Sequence, residues 1–188
     1  EMEEFNKHMV YKKIPSAKAW SSTGKKPIAV RWVDVNKGDD QNPNIRSRLV
    51  VREIRMAGQY AIFAPTPPLE SLRMALSQGP QPNWDPNSEN RTQLLMIDIS
   101  RACFNAKTAE DDSTYVALPR EAGDHPGMCG LLRRHMYGTC RAAEGWQDEY
   151  SDKMIQAGFI QGLASPCVFH HPSRGIVCSV HGDDFTAA

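Results

Sequence analysis

Two carboxylate positions, each at the end of an apolar, β-prone run, are the residues of this chain best suited to chemistry. One is the pair Asp183-Asp184, which follows Gly182 and the run Ile176-Val177-Cys178-Ser179-Val180-His181. The other is Asp98, which ends the run Leu94-Leu95-Met96-Ile97. Carboxylates far apart in sequence but gathered at strand ends can concentrate charge around two divalent metal ions. Two such ions, about 3.5–4 Å apart, activate a hydroxyl nucleophile and stabilise a leaving pyrophosphate, which is the chemistry of nucleotidyl transfer. Gly182 makes a tight turn easy, and in a turn neighbouring residues need not point to opposite faces, so both Asp183 and Asp184 can approach one site. Taken singly, each feature also has a plain structural use. Gly-Asp-Asp is a common exposed turn, and Asp98 is suited to cap the helix-like turn over 100–105.

The elements that must position these residues follow from the pattern. Residues 1–27 are polar and weakly patterned, which predicts helix and loop. Residues 28–35 read as a strand, 37–44 as a turn, and 46–52 as the returning strand of a hairpin. Pro67-Pro68 begins a helix running to Ser77, with Leu69, Leu72 and Leu76 on one face. Residues 79–90 read as a polar loop before the strand that ends at Asp98. A short strand over 114–118 stops at Pro119. The run 128–137 predicts a helix ended by Gly138. A stronger helix spans 142–157, where Trp146, Tyr150 and Met154 recur at i, i+4 and i+8 and Gly158 stops it. Trp146 is expected in the core. Residues 167–170 and 176–180 form a hairpin across 172–175.

The chain has 188 residues, 40% hydrophobic and 23% charged, enough for one domain or two small lobes with a real core. Its net charge is zero but unevenly spread. Residues 1–60 hold 12 Lys and Arg against 7 Asp and Glu, and residues 61–188 hold 10 against 15. A basic half facing an acidic half suits a polyanion held by one lobe and metal ions by the other, although two ordinary solvated surfaces have the same count. The five cysteines, an odd number without a secretory signal, are expected as reduced thiols of an intracellular protein. No run is long enough to span a membrane. Glycine-rich phosphate loops ending in Lys-Ser/Thr, Gly-x-Ser-x-Gly and dinucleotide fingerprints are absent, so hydrolase and dehydrogenase readings have no support.

Seven blocks in order resemble the reverse transcriptase of Copia-type long-terminal-repeat retrotransposons, from about Ile28 to Phe185. Arg31-Trp32-Val33 with Arg46-Ser47-Arg48-Leu49-Val50 resembles its fingers hairpin. Phe63-Ala64-Pro65-Thr66-Pro67-Pro68-Leu69-Glu70-Ser71-Leu72-Arg73 is similar to the start of its first conserved helix. Asp98-Ile99-Ser100-Arg101-Ala102-Cys103-Phe104-Asn105 resembles the first catalytic block. Tyr115-Val116-Ala117-Leu118-Pro119 follows. Next come the segment from Leu132 to Trp146 containing Tyr137-Gly138, then Gly158-Phe159 with Ser165-Pro166-Cys167-Val168-Phe169, and last Val180-His181-Gly182-Asp183-Asp184.

The resemblance implies an α+β fold, a right-hand polymerase palm of antiparallel sheet backed by helices plus a fingers lobe, with the thumb missing. Fingers would take residues 1–92, including an N-terminal tail 1–27, and 106–141. The palm would take 93–105 and 142–188 and be incomplete. It implies that Asp98, Asp183 and Asp184 are catalytic and bind two Mg²⁺ ions, with Mn²⁺ as a substitute. It implies deoxynucleoside triphosphates and an RNA or DNA template with primer as ligands, and the remaining polyprotein, thumb and RNase H, as partner. No membrane is involved, and the location would be a cytoplasmic particle or the nucleus. Lys37, Arg46 and Arg48 look like the fingers residues over the incoming triphosphate, where charge-assisted bonds from Arg to phosphate give a physical basis. Cys103 would lie at the 2′ position of the sugar, Phe104 would be a further substrate-binding residue, and Arg141 lies in the segment that positions template and nucleotide. Three departures stand out. His181-Gly182 replaces the family's Tyr-Val. Cys103 replaces an aromatic residue that crowds the 2′ position, which predicts weak exclusion of ribonucleotides. Cys140, Arg141 and Glu144 replace a Lys, a Gln and an Arg.

Two rival readings compete. Cys167 with His170 and Cys178 with His181 form Cys-x-x-His pairs with zinc-ligand chemistry, but on strands residues i and i+3 face opposite sides. The other is an inactive remnant. The chain stops four residues after Asp184, so the second arm of the catalytic hairpin is expected to be barely begun and its turn poorly held.

Overall fold

The computed structural model describes residues 1–54, 64–78, 93–123 and 126–188. In chain order the elements are α1 (Met2–Lys7), β1 (Tyr11–Pro15), α2 (Ser16–Thr23), β2 (Val30–Asn36), β3 (Ile45–Val51), α3 (Leu69–Ser77) and β4 (Leu95–Asp98). There follow β5 (Tyr115–Ala117), β6 (Met128–Leu132), α4 (Ala142–Gln156), β7 (Ile160–Gln161), β8 (Val168–His171), β9 (Ile176–His181) and β10 (Asp184–Ala187). Short 3₁₀ turns cover Ala102–Asn105 and Arg120–Ala122. The fold class is α+β, with antiparallel strand pairing in every sheet. Among the described residues, no helix is long and apolar enough to cross a membrane. The polar loop expected over 79–90 lies outside the described residues.

The chain forms two compact units. The first comprises Glu1–Ile62 and Cys103–Trp146, the second Phe63–Ala102 and Gln147–Ala188. The helix α3 belongs to the second unit, where it packs against β9 and β10.

In the first unit, a sheet of order β1-β6-β5 stands beside the β2–β3 hairpin. Phe5, Val10, Leu49, Val51, Phe104, Val116, Leu132 and Met136 form its main buried cluster. Phe5 and Phe104 meet edge to face with ring centres 4.8 Å apart. Two expectations fail here. Residues 128–132 form a strand, not the start of a helix, and β1 arises where only helix and loop were expected. The cause is shared. A short apolar run such as Met-Cys-Gly-Leu-Leu does not distinguish helix from strand, and pairing on both edges, with β1 and with β5, decides for the strand. β1 offers only Ile14 as a buried position, so it exists through its register with β6 rather than through its own pattern.

The second unit is one antiparallel sheet of order β4-β10-β9-β8-β7. Residues on one side alternate with those on the other along every strand. One face carries Phe169, Cys178, Val180, Phe185 and Ile97, and Tyr150 of α4 covers part of it. The Tyr150 ring lies edge-on to Phe185 at 5.6 Å and to Phe169 at 6.0 Å. Trp146, at the end of the first unit, is buried, as the helical spacing predicts. The opposite face carries Ser179, His181, Asp184, Thr186, Met96 and Asp98. The expectation of an unfinished catalytic hairpin fails. β10 pairs along its length with both β9 and β4, and Ala188 exchanges backbone bonds with Val177 at 2.9 and 3.0 Å. Four residues suffice because β10 is an inner strand, bonded on both edges.

Candidate functional site

The site grows from the turn between β9 and β10. Its two-residue loop is Gly182-Asp183, closed by the pair His181 and Asp184. Gly182 takes φ +64°, at the first central position where a two-residue hairpin of type II′ calls for glycine. A Cβ here would meet no atom within 4 Å, so the restriction is conformational and not steric crowding by neighbours. The backbone then ties the loop to the neighbouring strand end: the Ile99 N–H donates to the Asp183 carbonyl at 2.8 Å.

Register does the rest. Asp184 is paired with Asp98 on one side and with His181 on the other. Directly paired residues share a face, so Asp98, Asp184 and His181 form a row across β4, β10 and β9. All three are exposed, and Asp183 is half-buried. Carboxylates directly opposite each other repel, so the row is a place where a cation is favourable. Carboxylate oxygens are the donors that Mg²⁺ prefers, and this part of the expected donor set fits. The full set is not gathered. Among the described residues, no group of three or more His, Cys, Asp or Glu side chains is placed to hold a metal ion.

Beside the row lies a cavity of about 740 Å³ within the second unit, lined on one side by α3 and on the other by the strands that carry Asp98, His181 and Asp184. The leucines of α3 predicted to share a face, Leu69, Leu72 and Leu76, all line it.

The remaining expected residues lie in the first unit. Alternation along β2 and β3 puts Arg31, Arg46 and Arg48 on one face of the hairpin, with Val33, Val35 and Val50. Arg46 and Lys37 are exposed, and Lys37 sits where its N–H closes the hairpin loop onto the Asn44 carbonyl at 2.8 Å. Arg48 is already engaged. Its guanidinium lies 5.3 Å from the centre of the Tyr137 ring. Tyr137 is held by backbone: its carbonyl accepts from the Val51 N–H at 2.8 Å, and the next residue, Gly138, takes φ +84°. A Cβ on Gly138 would come within 2.1 Å of the Val51 carbonyl oxygen, so this approach requires glycine. Phe104, expected beside a substrate, is fully buried among Phe5, His8 and Tyr137 and acts as packing. Cys103 is half-buried against the same cluster. Arg141 pairs with Glu144 at 3.5 Å and borders a second cavity of about 270 Å³ that also meets Glu53, Asp111, Asp112 and His135. Glu53 accepts a bond from the Cys140 N–H at 2.6 Å.

The two Cys-x-x-His pairs do not converge. Cys178 is on the α4 face, Cys167 lies buried beside Tyr150, and His170 and His181 are exposed on the opposite face. None of the five cysteines, all described, is in a disulfide. Burial pushes the Cys178 thiol up to about 11 and raises Cys167, the latter partly offset by a bond with Tyr150. Tyr150 is raised as well, first by burial and then by the neighbouring Cys167.

Tyr137 under Arg48 and the cavity along α3 were not foreseen from the sequence. The Tyr137-Gly138 dipeptide carried a signal for the first, since a glycine after an aromatic residue suggests close backbone approach. Nothing local announced the cavity. No protein-family model matches the chain, and no curated protein matches it in sequence.

Proposed function

We propose that this chain is the polymerase portion of a Copia-type retrotransposon polyprotein and serves RNA-directed DNA synthesis by metal-assisted nucleotidyl transfer. One observation carries the reading: the strand register that sets Asp98 opposite Asp184 at the mouth of a Gly182-Asp183 loop. The seven sequence blocks supply the substrate class. In this reading Asp98 and Asp184 hold divalent ions from neighbouring strands, with Asp183 contributing from the loop. Bound there, Mg²⁺ ions would activate the primer 3′-hydroxyl and stabilise the leaving pyrophosphate. The chain's own work is to fix the carboxylates: β10 is bonded on both edges, and the α4 face of the sheet is packed around Tyr150 and Phe169. The basic face of the β2–β3 hairpin, with Arg31 and Arg46, offers guanidinium groups to phosphate.

The test is primer extension on an RNA template with Mg²⁺ or Mn²⁺, the chain being supplied with the remaining polyprotein. Extension that falls by about a hundredfold or more in Asp98→Asn supports the reading; extension equal in both proteins refutes it. A second reading is a folded but inactive remnant. It predicts no extension above the Asp98→Asn level even in the assembled protein.

A further inference from the structure

We propose that the cavity between α3 and the sheet of the second unit binds an amphiphilic organic cation: an apolar body bearing one amidinium or ammonium head. Its volume of about 740 Å³ falls in the range of small-molecule sites, about 300–1,000 Å³. One wall is apolar, formed by Leu69, Leu72 and Leu76 of α3, and Met96 of β4 adds an apolar side chain to the opposite, sheet wall. Leu69 is 54% exposed and Met96 66%, so the described residues leave this apolar surface uncovered. The other wall carries Asp98 and Asp184, which face each other across the ladder. No Lys or Arg is among the described residues that line the cavity.

The charge pattern selects the occupant. An anion finds no Lys or Arg among the described lining residues and faces two carboxylates. A neutral apolar molecule would cover the leucines but leave two like charges opposed. A cationic head beside the carboxylates replaces repulsion with attraction, and a planar amidinium can bond to carboxylate oxygens in parallel. The apolar tail then covers α3. Because the head takes the oxygens assigned above to divalent ions, such a ligand would compete with Mn²⁺. That competition rests on the proposed function, whereas the binding itself does not.

The experiment is a calorimetric titration of the full chain with 4-hexyloxybenzamidine and with its neutral isostere, 4-hexyloxybenzamide. The amidine is expected to bind about tenfold or more tightly than the amide. Asp184→Asn should bring the two together, and Leu72→Trp, which fills the cavity from the apolar wall, should weaken both. No amidine binding, equal affinity for the amide, or binding unchanged in both variants overturns the proposal. Amidine binding by a chain that takes up no Mn²⁺ leaves the cavity assignment standing and removes the metal-dependent reading.

Discussion

The two faces of the five-stranded sheet share one backbone and differ in nearly everything else. On the α4 side, Phe169, Val180 and Cys167 are completely buried, and Tyr150 and Cys178 nearly so. On the α3 side, Asp98, Asp184 and His181 are exposed and Met96 lies 66% open. Alternation makes this division possible: each strand sends every second residue to the packed side and the rest to the open side. The packed face supplies the stability that lets the open face hold repelling charges and an uncovered apolar wall. Stability and chemistry are separated here by one residue, since Phe185 belongs to the packed face and Asp184 to the open one.

Substitutions on the two faces should therefore behave differently. Phe169→Ala should cost about 3–5 kcal/mol through a cavity beside Tyr150, whereas Met96→Ala should stay within about 0.5 kcal/mol. Chemical denaturation of both variants checks the contrast, and equal losses would break it.

A pH series addresses the packed face next. The Cys178 thiol is pushed up from 9.0 to about 11 by burial. The unfolded thiol ionises first, so the stability is fully present below about pH 9 and is lost as pH rises toward 11, on the order of 1 kcal/mol per pH unit. Cys178→Ala should make the denaturation midpoint fall less steeply over that window. The slope should not vanish, because Cys167 and Tyr150 are shifted in the same direction.

At the turn joining β9 and β10, Gly182→Val should cost about 1–2 kcal/mol, because a β-branched residue is held at positive φ. Gly182→Asn should cost less, since Asn tolerates that region. If valine were accepted without loss, the turn conformation assigned here would be wrong.

The smallest effect has the opposite sign. Asp184→Asn on the open face should stabilise the fold by about 0.2–1 kcal/mol at low ionic strength by removing a like-charge pair. The gain should shrink with added salt. Destabilisation instead would mean that the Asp98–Asp184 pair is held by something other than register.

Much of this sheet was legible in the sequence because its strands are local hairpins. The 172–175 turn, the Gly182 turn and the apolar runs before them fix β8, β9 and the Asp pair by short-range signals. The helix α4 was legible from Trp146 and Tyr150 for the same reason. Elements set by distant pairing were not. β6 resembled a helix until β1 and β5 flanked it, and β10 looked too short until its double pairing was apparent. For the site, residue types pointed to Asp98 and Asp184, yet their opposition depends on a register between segments far apart in the chain. The burial of Phe104 and the Tyr137 ring beside Arg48 are tertiary facts that a motif does not carry.

The proposed function requires the open face to gather divalent ions. Mn²⁺ titration followed by electron paramagnetic resonance, on the chain and on Asp98→Asn and Asp184→Asn, tests it most directly. Saturable Mn²⁺ binding that is displaced by Mg²⁺ and weakened at least tenfold in each variant is the predicted result. Binding that is absent, or identical in all three proteins, would contradict it.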